Sequence, residues 1–93
     1  MDQHFTAWLV IAREALTGTH YEVEIVEDEY VHGAGWERAG AFVFEAATSV
    51  DIEDGDHEKA KEEAEELMRA AGWHRVERWC DVDTGYAATV ERS

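Results

Sequence analysis

Proline is missing from all 93 residues, cysteine occurs once, and lysine and arginine together number only eight. Each shortage closes off a class of protein. With Cys80 as the sole thiol no intrachain disulfide can form, so packing alone must hold the fold. Without proline, the punctuation of turns and element ends falls to glycine, which occurs seven times. Against eight cations stand 22 aspartates and glutamates, for a formal net charge of −14. Direct binding to nucleic-acid phosphate is therefore excluded, because it depends on cations that release counterions. Anionic membranes are excluded for the same reason. Long apolar runs are also lacking, and Ala7 to Ala12 is far too short to span a bilayer. No basic stretch precedes an apolar one at Met1 to His4, so a cytoplasmic location is expected.

What remains is enough for one core. The hydrophobic fraction is 45%, with four tryptophans, three tyrosines and three phenylalanines, which argues against a disordered chain. A chain of this size hides roughly 60 to 68% of the surface its unfolded form exposes. Residues 1–93 contain no repeat and no low-complexity linker, and read as a single domain.

Periodicity supplies the elements. Ala60, Ala64, Leu67, Met68 and Ala71 recur at helical spacing and predict a helix over 56–71. Asp56 suits its N-cap, and Glu58 suits the first turn. Lys59 with Glu63, Lys61 with Glu65, and Glu65 with Arg69 form i,i+4 pairs. Gly72 fits the position just past the end, with Trp73 folding back. Tyr21, Val23 and Ile25 alternate with polar neighbours, as do Phe42, Phe44, Ala46, Thr48 and Val50, so both segments predict strands. The stretch between them, 27–40, holds three glycines and reads as a long turn or loop.

Two more strands, 75–82 and 86–92, flank Asp83-Thr84-Gly85, with Tyr86, Ala88 and Val90 on the buried face. In the first of these, Val76, Cys80 and Val82 share a face and Trp79 lies opposite. Segment 5–16 fits a helix stripe through Phe5, Trp8, Leu9, Ala12 and Leu16. It fits a strand better, because Trp8 to Ile11 is apolar on both faces. Paired across Thr17-Gly18, it would set Val10 opposite Ile25 and Arg13 between Glu22 and Glu24. The expected fold is α+β, an antiparallel sheet of order β-β-β-α-β-β with one helix packed on one face. The alternative order is α-β-β-α-β-β.

Catalytic patterns are scarce. His4, His20, His32, His57 and His74 show neither an HExxH nor a zinc spacing. Cys80 reads as a buried inert thiol, and Gly33-Ala34-Gly35 lacks the lysine of a P-loop. Asp51 to Glu66 holds nine carboxylates. Its start faintly resembles a calcium loop, but Gly55 falls at the fifth place, not the sixth. No catalytic residue, metal or cofactor is expected.

The carboxylates instead suggest recognition. Glu22, Glu24, Glu27, Asp28 and Glu29 form one acidic face, and Asp51, Glu53, Asp54, Glu58, Glu62 and Glu66 form a second. Sharing one side of the fold, the two could imitate a row of phosphates and attract a basic, nucleic-acid-binding protein. The plainer account is a coat that keeps a small protein soluble. Trp36, behind two glycines, and Trp79 are candidate aromatic anchors for a partner. For Trp79, packing under the helix after a bulge is an equally good account.

At Gly72-Trp73, Trp79 and Asp83-Thr84-Gly85-Tyr86-Ala87-Ala88-Thr89-Val90-Glu91 the chain resembles small acidic proteins of high-GC actinomycete-type genomes and their phages. The resemblance covers about the last quarter of the chain and contains no catalytic motif. It implies an accessory protein of a phage or mobile element, one that binds and does not catalyse. The leading expectation is a non-catalytic module that docks on a basic protein. The next is a homo-oligomeric scaffold, pairing as a homodimer along an edge at Tyr86 to Arg92. A carboxylate- or metal-dependent enzyme comes last.

Overall fold

Alternating side chains at Tyr21, Val23 and Ile25 bury one face of a central strand, and an antiparallel sheet of six strands grows around it. The computed structural model describes the backbone of residues 4–33 and 35–93, and within these the side chains of all but residues 29–31 and 36–41. In chain order the elements are β1 (His4–Val10), a 3₁₀ turn (Arg13–Ala15), β2 (His20–Val31), β3 (Gly35–Asp51), α1 (His57–Ala70), β4 (Trp73–Arg75), β5 (Cys80–Val82) and β6 (Gly85–Arg92). The sheet order is β3-β2-β1-β6-β4, with β5 also on β6. The chain is thus α+β with one helix on one face of an antiparallel sheet.

The helix has a simple job. The chain leaves the sheet at β3, one edge, and re-enters at β4, the other. Four strand spacings amount to about 19 Å, and fourteen helical residues rise about 21 Å. α1 therefore crosses the sheet from edge to edge. Asp56 caps it, accepting from the Lys59 N–H at 3.1 Å, and Gly72 follows it with φ +90°. Ala60 and Ala64 are wholly buried, so the helix lies close on the sheet. Leu9, Val23, Ile25, Val50, Met68, Trp73 and Val90 fill the remaining space. No helix among the described residues is long and apolar enough to cross a membrane.

Several expectations change. Segment 5–16 is a strand only as far as Val10, and its register differs: Leu9 pairs Val23 and Val10 pairs Glu22. The reason is that Ile11 and Ala12 turn away, donating their N–H groups to Thr84 O at 2.8 and 3.1 Å. Arg13 consequently stands exposed in the 3₁₀ turn, not between Glu22 and Glu24. The expected loop 27–40 is mostly ladder, because a tight turn at His32-Gly33 lets Val31 pair Gly35 and Asp28 pair Arg38. β3 sets seventeen residues against twelve of β2, and the pairing slips at three steps. One slip leaves Val43 extra between Phe42 and Phe44, so Phe42 pairs Val26 and departs from the Phe44 face.

The expected strand 75–82 is likewise broken. β4 and β5 pair β6 at either end, and Glu77 to Trp79 form an excursion between them. That bulge turns Trp79 onto the core, whereas Val76 and Cys80 are exposed. Tyr86 to Arg92 is not an edge, since β6 has β1 on one side and β4 and β5 on the other.

Candidate functional site

Strand alternation separates the first acidic run. Glu22, Glu24 and Asp28 lie on the sheet face opposite α1, and Glu27 lies on the helix face, directly across from Phe5. Asp28 is no docking group. It is buried, and its Oδ2 accepts from Thr6 Oγ1 at 2.5 Å and pairs with His4 Nδ1 at 2.7 Å. The expectations at Glu29 and Trp36 fall outside the described side chains.

The second run is largely engaged in folding. Asp51 accepts from the Glu53 N–H at 2.8 Å within its own turn, and Asp56 is the helix cap. Glu65 pairs with Arg75 at 2.5 Å and Glu58 with Lys61 at 3.3 Å, in place of the expected Lys61–Glu65 and Glu65–Arg69 pairs. Glu53, Asp54, Glu58, Glu62 and Glu66 remain exposed, the last three in one stripe along the outside of α1. Since α1 covers one sheet face and Glu22 and Glu24 rise from the other, the two acidic surfaces stand back to back. The shared row of mock phosphates does not form. Among the described residues no three histidine, cysteine, aspartate or glutamate side chains group as metal ligands.

Glu63 ties the helix to the β3 edge. Its carboxylate accepts from Ser49 Oγ at 2.7 Å and from the Ser49 N–H at 3.1 Å. The Ser49 hydroxyl and then its N–H hold the Glu63 carboxyl below its ordinary 4.5; burial opposes them, and the charge of Lys59 adds the smallest contribution. A depressed folded value adds stability above the unfolded pKa and loses it as pH falls through the folded one. Glu63→Gln should therefore cost about 0.5 to 1 kcal/mol at neutral pH, screening included. The cost should fade as pH drops below 4.5, as urea melts at neutral and acid pH will show.

A concavity lies on the helix-free face. It is a groove of about 540 Å³ lined by Val10, Phe42 and Ala47 together with Glu22, Glu24 and Glu45. Thr17 and Thr84 also line it. Thr17 donates its N–H and its hydroxyl to Glu22, which fixes that carboxylate in place. Glu24 and Glu45 stand directly opposite each other on β2 and β3, an arrangement that costs stability. None of the described lining residues is a lysine, arginine or histidine.

Sequence reasoning found Glu22 and Glu24 but missed Glu45, whose cross-strand position depends on the slip at Val43. It also missed the exposed apolar pair. Phe42, which lines the groove, and Val43 next to it are each 42% exposed. Trp79 is half-buried against the core with its indole N–H enclosed, so it does not stand free as an anchor. The chain matches no family model, no curated protein and no solved structure.

Proposed function

We propose that this protein is a non-catalytic binding module, acting in the cytoplasm, that docks a basic, nucleic-acid-binding protein on its helix-free sheet face. One observation carries the reading. A groove lined by Val10, Phe42 and Ala47 presents the Glu22 and Glu45 carboxylates, and Phe42 and the neighbouring Val43 are exposed. Apolar surface supplies affinity, and charge beside it supplies steering and selectivity. The overall charge of −14 adds a long-range field of the same sign. An accessory protein of a phage or mobile element, as the C-terminal resemblance implies, would use such a face to occupy a host protein's nucleic-acid groove.

The test is binding between purified components, this chain and a nucleic-acid-binding protein of its host, at rising salt. Affinity is expected to fall about ten-fold between about 50 and about 200 mM salt. Salt-independent binding, or none, contradicts the reading.

A further inference from the structure

β3 is the outer strand of the sheet, so its far side has no neighbouring strand among the described residues. Two features shorten the edge that this leaves. Toward the C-terminal end Glu63 already occupies the Ser49 N–H, and upstream Val43 interrupts the ladder. Between them, Phe44 to Ala47 pair Ile25 to Glu22 without a slip. In such a stretch, alternate residues turn their N–H and C=O groups away from the neighbouring strand. The side chains of Glu45 and Ala47 lie on the groove face of the sheet, and those of Phe44 and Ala46 on the helix face.

Bulges and a clamp of this kind blunt an edge against long sheet-to-sheet pairing. A second copy is a poor occupant, because two chains of charge −14 would meet there. A short strand of opposite charge suits the window in both length and sign.

We propose that the edge of β3 at Phe44–Ala47 takes up a short, extended, basic segment of the partner protein as an added strand. Its lysines or arginines lie over Glu45 and Glu22 in the groove, and its alternate apolar side chains lie beside Phe44 and Ala46. This rests on the basic-partner reading above.

The test uses the full chain and synthetic peptides that alternate lysine with valine. A block peptide of the same composition serves as control, together with two alternating peptides N-methylated on every lysine amide or every valine amide. The alternating peptide should bind about ten-fold tighter than the block peptide, because only it presents one charged face. One methylated peptide should lose about ten-fold and the other keep its affinity, since alternate amides alone face β3. Hydrogen exchange of amides within 44–47 should slow on binding. Equal, salt-sensitive binding of all four peptides would overturn strand addition while leaving the basic-partner reading standing. No binding of any peptide to the folded chain would overturn both.

Discussion

Gly85→Ala is expected to lower stability by about 3 to 5 kcal/mol, more than a methyl added at any other described glycine. Gly85 opens β6 with φ +148°, buried where the β5–β6 turn meets the end of β1. A Cβ built there would sit 2.1 Å from Leu9 O and 3.1 Å from the Ile11 backbone nitrogen. Both neighbours are backbone, so no rotamer change relieves the contact. The strand itself must move, and with it the bonds from Ile11 and Ala12 to Thr84 O. A melting temperature lower by more than about 10 °C should follow for a domain of this size. Gly18→Ala provides the contrast, since nothing lies within 4 Å of its added methyl and its φ is not in the left-handed region. It should be neutral within about 0.5 kcal/mol. Urea melts of the two variants check the pair, and equal effects would contradict the packing described.

Trp73→Ala should cost a similar amount, about 3 to 5 kcal/mol. The ring is 2% exposed and meets Phe5 edge-on, with centroids 4.9 Å apart at 68°. The Arg92 guanidinium lies 4.4 Å from its centroid. Three elements thus depend on one side chain, because Trp73 starts β4 after the helix, Phe5 belongs to β1, and Arg92 ends β6. Truncation would leave a void that the small alanines of α1 cannot fill. Trp73→Phe keeps part of the contact and should lose less than half as much. Val76→Ala, at a side chain 44% exposed, should change stability by less than about 0.5 kcal/mol. Denaturant midpoints with near-ultraviolet circular dichroism will order the three.

Features with a local cause were legible in the sequence. The alanine stripe, Asp56 and Gly72 fixed α1 because propensity, capping and periodicity act within a few residues. The Tyr21 to Ile25 and Tyr86 to Val90 alternations showed their buried faces for the same reason. Features set by tertiary contact were not legible. The β1–β2 register depends on Thr84, more than sixty positions away, drawing off Ile11 and Ala12. The slip at Val43 and the excursion at Glu77 to Trp79 leave no mark on residue type, yet they expose Phe42 and Cys80 and turn Trp79 inward. The site divides in the same way. Glu22 and Glu24 were visible as the wet side of a strand, but Glu45 joined them only through pairing. Asp28 left the set because His4 and Thr6 claim it. Charge composition could not separate carboxylates that present a surface from those that hold the fold.

The sharpest trial sets position against amount of charge. Two variants each replace three glutamates by glutamine: Glu22, Glu24 and Glu45 at the groove, or Glu58, Glu62 and Glu66 along α1. Both change net charge equally, and urea melts establish that both fold. Affinity for one arginine-rich peptide at low salt should fall about ten-fold or more for the groove variant and less than about three-fold for the helix variant. Equal losses would mean that the peptide senses only total acidity, and the helix-free face would have no special claim.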